Sequence, residues 1–240
     1  MTKALIMAGG KGTRLRPFTA SFPKPLVPLG DLPVLELLLR QLKAAGVREV
    51  VLSVNHLHHL IRAFCEDGSK FGLKIDYVLE DEPLGTAGSL AYALDRLSDD
   101  FIVANGDLLT NFNIAHMVAE HRKQPTAASI AVYERSTRID FGLVEVDASM
   151  RLTGYREKPT YSHLVSMGLY VLNRTSVAPH LVPGKFLDMP QLMQLLMEAG
   201  KSVICRTQDC LWLDIGRPED YATAQQLFEQ KRELFLQGPQ

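Results

Sequence analysis

The sequence predicts an α/β fold, a three-layer sandwich in which helices cover both faces of a mostly parallel, mixed sheet, joined to a smaller β-rich lobe. Three observations support this prediction. Short apolar segments rich in Val and Ile alternate with helical patterns in the first half of the chain. The connections between them are short, which favours parallel strands with right-handed crossovers. After residue 127 the pattern changes to a run of closely spaced strands.

The first half supplies the strands and helices of the sandwich. Four short apolar stretches are predicted as strands, at residues 4–7, 49–54, 74–79 and 101–104. Three segments carry apolar residues at helical spacing, at residues 33–45, 57–65 and 87–97. This order is Rossmann-like, and in such sheets ligands lie beyond the carboxyl ends of the strands.

The second half is predicted to contain more strands than helices. Strands are expected at residues 128–133, 141–146, 152–156 and 165–172, with a short one near Val203. Helices are expected at residues 189–199 and from 218 to about 235. We expect the 240 residues to form a single domain with two functional halves, residues 1–126 and 127–240.

Composition and charge exclude several classes of function. Apolar residues make up 46% of the chain and the formal net charge is −1, without a long basic run. A nucleic-acid-binding surface and a membrane anchor are therefore not expected. The amino terminus lacks the apolar stretch of a signal peptide, so a cytoplasmic location is expected. Three cysteines without C-x-x-C spacing predict neither a disulfide framework nor a structural zinc site.

A glycine-rich segment near the amino terminus is the strongest functional signal. The first predicted strand runs into Ala8-Gly9-Gly10-Lys11-Gly12-Thr13-Arg14, whose backbone N–H groups can approach phosphate oxygens. Arg14 and Lys24 add two cations beside this turn. A dinucleotide-binding turn is not favoured, because prolines at positions 17, 23, 25 and 28 prevent the helix that such a turn requires. The segment predicts a loop that folds over a triphosphate.

This segment, together with Pro23-Lys24-Pro25, resembles the signature of the sugar-1-phosphate nucleotidyltransferases, also called nucleotide-sugar pyrophosphorylases. The resemblance covers nearly the whole chain. It continues, in the family's order, through Leu84-Gly85-Thr86-Ala87-Gly88, Asn105-Gly106-Asp107, Phe141-Gly142, Glu157-Lys158-Pro159 and Trp212-Leu213-Asp214-Ile215-Gly216. Family members join a nucleoside triphosphate to a sugar 1-phosphate and release pyrophosphate. The resemblance implies this enzyme activity, with nucleotide bound by residues 1–126 and sugar phosphate by the β-rich, sugar-binding half at 127–240.

Asp107 and Asp214 are the expected metal ligands. The reaction brings two anions together, so its catalyst needs cations more than it needs an acid or a base. Hard carboxylate oxygens suit Mg²⁺, and no His or Cys cluster that would favour zinc adjoins either residue. Taken singly, each Asp could simply cap a helix or a turn. Their occurrence with the amino-terminal signature favours Mg²⁺ as the cofactor.

The resemblance also implies a role for each charged residue. Arg14 is expected to hold the β- and γ-phosphates and to favour the departure of pyrophosphate, and Lys24 is expected to hold the α-phosphate or the phosphate next to it. Lys158 is expected to hold the phosphate of the sugar, while Glu157 accepts its hydroxyls; the alternative for this pair is an ordinary solvated ion pair. The implied catalytic set is Arg14, Lys24, Asp107, Lys158 and Asp214. The implied nucleotide-binding set is Ala8, Gly9, Gly10, Gly12, Thr13, Arg14, Lys24, Glu80, Gly85, Thr86 and Ala87. The implied sugar-phosphate set is Gly142, Glu157, Lys158 and Ser166.

Glu80 bears on the choice of base. The family places a base-reading side chain here, often Gln in members that use uracil or thymine. A carboxylate only accepts hydrogen bonds, so it suits the adjacent N1–H and amine donors of guanine. The string from Glu80 to Gly88 also resembles the mannose-1-phosphate guanylyltransferases, and GTP is favoured over UTP and dTTP. Ser166 stands where many relatives have Asn, so mannose, glucose, a heptose and a cyclitol all stay open as the acceptor.

Other functions stay open at this point. One is a uridylyl- or thymidylyltransferase acting on a hexose 1-phosphate. Another is a cytidylyl- or uridylyltransferase acting on a non-sugar phosphate, such as an alcohol phosphate. A third is a non-catalytic regulatory relative that binds nucleotide sugar, although the retained charged residues argue against it. The last predicted helix covers either the domain's own core, which is favoured, or a partner subunit in a homo-oligomer. Its apolar residues are Tyr221, Leu227, Leu234 and Phe235.

Overall fold

The computed structural model describes residues 2–17, 19–80 and 82–236, which fold around a seven-stranded sheet. The strands are β1 (Lys3–Met7), β2 (Pro28–Leu29), β3 (Leu32–Pro33), β4 (Glu49–Val54), β5 (Lys74–Leu79), β6 (Asp100–Asn105), β7 (Leu108–Thr110), β8 (Ala128–Arg138), β9 (Leu143–Val146), β10 (Leu152–Arg156), β11 (Thr160–Asn173), β12 (Val203–Arg206) and β13 (Trp212–Asp214). The α-helices are α1 (Val34–Ala44), α2 (His58–Cys65), α3 (Gly85–Gly88), α4 (Leu90–Ala93), α5 (Ile114–Arg122), α6 (Arg174–Val177), α7 (Met189–Glu198) and α8 (Pro218–Leu236).

The central sheet is mixed and mostly parallel, as predicted. Its strand order is β12-β8-β11-β6-β1-β4-β5. Strand β1 pairs in parallel with β4 and β6, β4 pairs in parallel with β5, and β12 pairs in parallel with β8. Strand β11 runs antiparallel to both of its neighbours, β6 and β8. The sheet is therefore continuous across the two halves of the chain.

Helices cover both faces of the sheet, which confirms the three-layer arrangement. Side chains alternate across a strand, so Ile6 of β1 packs on one face and Leu5 packs on the other. The Ile6 face packs against α1, α2 and α5, with Leu38 among the buried residues. The Leu5 face packs against α4 and α7, with Leu192 among the buried residues. No helix in the described part of the chain is long and apolar enough to cross a lipid bilayer.

Helix α8 packs on the side of α1 that faces away from the sheet. Phe228 and Phe235 are buried there with Val34 and Leu37 in a third apolar cluster. Leu234 is exposed. The last helix therefore covers the chain's own core.

The helix expected at residues 87–97 is wrong as a single element. The structure instead has α3, α4 and a 3₁₀ turn at Leu94–Arg96. A Cβ added at Gly88 would lie 2.9 Å from the carbonyl oxygen of Lys185, so only glycine allows this close approach. Packing of two backbone segments, rather than helical propensity, therefore sets the shape of this region.

Strands β8 and β11 extend beyond their predicted ends. Their pairing continues from the central sheet out to Thr160 and Arg138, through a register shift between Ser166 and Tyr170. The residues in these extensions are mostly exposed, so they lack the alternation of apolar and polar residues that predicts a strand. The two strands lead to the antiparallel β9–β10 hairpin, which together with them forms the smaller β-rich lobe.

Candidate active site

The glycine-rich loop begins at the carboxyl end of β1. The N–H of Ala8 donates to the carbonyl of Ser53 at 2.8 Å, which fixes the start of the loop beside β4. Gly12 has a left-handed backbone with φ of 60°, and a Cβ there would lie 3.0 Å from Cγ2 of Thr19. The hydroxyl of Thr19 donates to the carbonyl of Gly12 at 2.6 Å. Only a 3₁₀ turn, Thr13–Leu15, follows, so the prediction that no α-helix continues this loop is confirmed.

A cavity of about 440 Å³ lies at this edge of the sheet, and we name it the first cavity. Two glycine-containing loops form its walls, and polar side chains from the strand ends reach into it. Its lining residues are Met7, Ala8, Gly9, Gly10, Gly12, Thr13, Arg14, Lys24, Pro25, Asn55, Glu80, Pro83, Leu84, Gly85, Thr86, Ser89, Asn105, Asp107 and Gly216. The first cavity contains every residue expected to bind nucleotide except Ala87, whose side chain is fully buried.

Glu80 is held in a defined position beside the glycine-rich loop. The hydroxyl of Ser53 donates to Oε1 of Glu80, and Nδ2 of Asn55 donates to the Glu80 carbonyl at 2.7 Å. A Cβ added at Gly9 would lie 3.5 Å from the same Oε1. The carboxylate therefore lies against the glycine-rich loop, with acceptor capacity left for a ligand in the first cavity.

The second loop of the first cavity is fixed by the segment that precedes α7. The hydroxyl of Thr86 accepts from the N–H of Met189 at 2.7 Å, and the Thr86 N–H donates to Oδ1 of Asp188 at 3.0 Å. The N–H of Ala87 donates to the Leu187 carbonyl at 2.8 Å. This part of the wall is therefore anchored before any ligand arrives.

Gly85→Ala is expected to destabilise the protein and to weaken nucleotide binding. Gly85 has φ of +79°, and a Cβ would lie 2.6 Å from the Leu187 carbonyl oxygen, so the backbone itself must shift. Strain and contact together should cost about 2 to 4 kcal/mol of unfolding free energy. Chemical denaturation measures this cost, and the KM for the nucleoside triphosphate should rise.

Gly200→Ala is the matched control for that variant. Gly200 also has a positive φ, of +68°, but a Cβ there meets nothing within 4 Å. Its cost should be only that of the backbone conformation, about 1 kcal/mol. Equal losses of stability in the two variants would contradict the role of the Leu187 contact.

Lys24, Asp107 and Asp214 converge at one edge of the first cavity. Strand β13 pairs antiparallel with β7 so that Asp214 lies opposite Leu108, which brings it beside Asp107. Nζ of Lys24 donates to Oδ2 of Asp107 and lies 3.8 Å from Oδ1 of Asp214. Burial raises the pKa of Asp214 above its usual value, and the neighbouring carboxylate of Asp107 raises it further. The two carboxylates predicted from distant motifs are neighbours.

The donor set fits a divalent cation that is completed by its substrate. No group of three or more His, Cys, Asp or Glu side chains with metal-site geometry occurs among residues 2–17, 19–80 and 82–236. Two carboxylates leave several coordination positions for water and phosphate oxygens, which is the usual arrangement for Mg²⁺ bound with a nucleotide. Lys24 balances part of the acidic charge.

A second cavity, of about 470 Å³, adjoins the first and shares Arg14 and Gly216 with it. Its remaining lining residues come from β8, β13 and the start of α8: Tyr133, Arg135, Trp212, Leu213, Asp214, Arg217 and Asp220. The rings of Tyr133 and Trp212 pack with their centroids 5.5 Å apart. Sequence reasoning missed Tyr133, Arg135, Arg217 and Asp220, because no local motif links residues that meet only in the fold.

The residues expected to bind sugar phosphate lie in the β-rich lobe and are not among those lining the two cavities. Glu157 and Lys158 are exposed at the turn between β10 and β11. A Cβ at Gly142 would lie 3.1 Å from Oε2 of Glu157, so these two are close together. Oγ of Ser166 lies 2.8 Å from the hydroxyl of Tyr170. Ser166 lies opposite Val132 of β8, whereas Thr160, which follows the Glu157 turn, lies opposite Arg138 six residues along β11.

Comparison with known proteins gives a family match over most of the chain. The family model described as "Nucleotidyl transferase" matches residues 3–231. Mannose-1-phosphate guanylyltransferase 1 of Arabidopsis thaliana is 36% identical in an alignment 240 residues long that covers 94% of this chain and 64% of that protein. Mannose-1-phosphate guanylyltransferase of Mycobacterium tuberculosis is 34% identical over 225 residues, covering 91% of this chain and 62% of that protein.

Solved structures share the fold. The crystal structure of HddC from Yersinia pseudotuberculosis has a TM-score of 0.74 and 25% identity, covering 95% of this chain and all of that one. The curated relatives are longer, and this chain spans about 64% of the length of the plant protein.

Proposed function

Because the chain belongs to the nucleotidyl transferase family, we propose that it transfers a nucleoside monophosphate from a nucleoside triphosphate to a sugar 1-phosphate. The observation that carries this proposal is the convergence of Lys24, Asp107 and Asp214 beside the first cavity. A phosphate oxygen of the acceptor forms the new bond to the α-phosphorus. The bond from that phosphorus to the β-phosphate oxygen breaks, and pyrophosphate leaves.

We propose that the two cavities separate the two substrates. The first cavity is lined by residues of the first half of the chain, with Gly216 as the single exception, and would hold the triphosphate. The second cavity is lined by residues of the second half apart from Arg14, and would hold the acceptor. This division supports residues 1–126 as the nucleotide-binding half and residues 127–240 as the acceptor half. Arg14 borders both cavities and is suited to stabilise charge on the triphosphate.

Asp107 and Asp214 would hold Mg²⁺ together with phosphate oxygens. When bound, the ion would neutralise the negative charge that keeps the two substrates apart. Lys24 already lies on both carboxylates, so its ammonium group is placed to pair with a phosphate oxygen as the charges rearrange. The backbone N–H groups of the Gly9–Gly12 loop add donors without adding negative charge.

We propose that the reaction takes place in the cytoplasm, where nucleotides and sugar phosphates are available.

GTP is the proposed donor of the nucleotide. Two observations support guanine as its base. Glu80 offers acceptors only, which match adjacent donors of guanine. Two relatives that are more than 30% identical are named mannose-1-phosphate guanylyltransferases, so mannose 1-phosphate is the first acceptor to test.

A donor panel tests this proposal directly. Pyrophosphate release should be measured with GTP, UTP, dTTP and CTP at a fixed concentration of mannose 1-phosphate, with Mg²⁺ and then with EDTA. We expect GTP to exceed the other donors in kcat/KM by at least about tenfold, because a base that covers the half-buried Glu80 carboxylate without donating to it pays a desolvation cost. Glu80→Gln should reduce that preference toward unity.

Glu82→Gln is the matched control, since Glu82 is exposed and is not among the residues lining the first cavity. It should keep the preference of the unmodified protein. A preference for UTP in the unmodified protein would refute the role given to Glu80. Pyrophosphate release that needs no divalent cation would refute the proposed metal site.

A further inference from the structure

The second cavity contains two arginines that the transfer reaction does not use. Arg135 lies on β8, and Arg217 lies immediately before α8. Within the described part of the chain, neither guanidinium group forms a hydrogen bond or an ion pair. Asp220 lines the same cavity but makes no ion pair with either arginine. Both side chains are exposed, so the cavity presents two solvated guanidinium groups that no acidic side chain among residues 2–17, 19–80 and 82–236 pairs with.

The wall beside these arginines is aromatic. Residues two apart on a strand point to the same side, so Tyr133 and Arg135 of β8 face the same way. The ring of Tyr133 packs against Trp212, the first residue of β13. Asp214, the last residue of that strand, reaches the ion pair with Lys24. One short strand thus connects an apolar surface, which suits the carbon face of a sugar ring, to the reacting centre.

The cations at the reacting centre are residues other than Arg135 and Arg217. Lys24 contacts both proposed metal ligands, and Arg14 borders both cavities. These two residues are placed for the phosphates that react. Arg135 and Arg217 are additional, and their planar guanidinium groups match the geometry of a carboxylate or a phosphate better than that of a hydroxyl.

We propose that the acceptor is a sugar 1-phosphate bearing a second anionic group, a carboxylate or a second phosphate, which Arg135 and Arg217 bind in the second cavity. This inference rests on the proposed transfer reaction and narrows its acceptor to a chemical class. Sugar 1-phosphates whose only charged group is the 1-phosphate, here called neutral acceptors, can still react, since the Trp212 surface and the reacting centre do not depend on the second anion. They do so less efficiently.

Matched acceptors test the inference. The gluco series consists of glucose 1-phosphate, glucuronic acid 1-phosphate and glucose 1,6-bisphosphate. The manno series consists of the corresponding mannose compounds. Each anionic sugar differs from its neutral parent only at carbon 6, so the ratio of their kcat/KM values isolates the second charge. In at least one series we expect an anionic acceptor to exceed its neutral parent by about tenfold or more, as for a hydrogen bond to a charged group.

Variants assign that preference to the two arginines. Arg135→Gln and Arg217→Gln should each lower the anionic-to-neutral ratio several-fold, mainly through the KM of the anionic acceptor. Arg138→Gln is the matched control, because Arg138 lies on the same strand but three positions away, hence on the opposite side, and pairs with Asp140 at 3.3 Å. It should keep the ratio of the unmodified protein.

The outcomes distinguish this inference from the proposed function. Efficient transfer to neutral acceptors with a ratio near unity in both series would overturn the inference and leave the transferase activity standing. A raised KM for GTP alone in the arginine variants would also overturn it, because it would assign both residues to the triphosphate. An absence of pyrophosphate release with every donor and acceptor would overturn the proposed function itself.

Discussion

Asp107→Asn is expected to lower kcat/KM for nucleotidyl transfer by at least about a hundredfold while the protein stays folded. Asp107 is the more buried of the two proposed metal ligands, with 16% of its side chain exposed against 47% for Asp214. Asparagine keeps the shape but removes the charge that would hold the cation. Raising the Mg²⁺ concentration should recover part of the rate, because the variant binds Mg²⁺ more weakly as well as stabilising the transition state less.

The measurement is pyrophosphate release over a range of Mg²⁺ concentrations, with a thermal melt to confirm folding. Asp95→Asn is the control, since Asp95 is exposed in the 3₁₀ turn after α4 and lines neither cavity. Its turnover should match that of the unmodified protein. Near-normal turnover of Asp107→Asn at low Mg²⁺ would remove Asp107 from the mechanism.

Lys24→Met is expected to lower activity by a similar factor and also to lower the stability of the metal-free protein. The ammonium group neutralises Asp107, and only 13% of the lysine side chain is exposed. Its removal leaves two neighbouring carboxylates without that cation, which should cost roughly 2 to 4 kcal/mol and lower Tm by about 5 °C or more. Since the pKa of Asp214 is already raised, this variant should be less destabilised at acidic pH, where that carboxyl takes up a proton.

Thermal melts in EDTA and in Mg²⁺ give the readout for this variant. A divalent cation between the carboxylates replaces part of the lost charge, so Mg²⁺ should raise the Tm of Lys24→Met more than that of the unmodified protein. Lys11→Met is the control, because Lys11 is an exposed cation of the same loop. An identical Mg²⁺ shift in all three proteins would show that Lys24 and the cation do not share a site.

The elements that were predictable are those whose pattern is set locally. Strands β1, β4 and β6 are buried on both faces along most of their length, because helices cover both sides of the sheet. These three strands and the edge strand β5 were each predicted within about one residue. Helix α5 was missed even though its signal is present: Asn113 caps it by accepting from the N–H of His116 at 2.9 Å. Its buried residues also recur at helical spacing. The capping Asn and this spacing are both local signals, and together they predict the helix.

The residues of the site likewise divide into those that a local pattern predicts and those that only the fold brings together. The glycine-rich loop and Glu80 were predictable because they follow strand ends in a parallel sheet. That Asp107 and Asp214 lie close together was a hypothesis from two motifs more than a hundred residues apart. The pairing of β7 with β13 brings the two residues together. Arg135 and Arg217 were not predictable, because an unpaired charge has no signature in a sequence. Only the three-dimensional arrangement shows that the two arginines line one cavity and pair with no acidic side chain in the described part of the chain.

The antiparallel strand β11 has a consequence for any attempt to divide this molecule. It lies between β6, from the first half, and β8, from the second, and forms backbone hydrogen bonds with both. Severing the chain between residues 126 and 127 would expose the edge of β6 in one fragment and a matching edge of β11 in the other. Either fragment alone would be prone to aggregation, whereas the two expressed together should re-form the sheet along that seam.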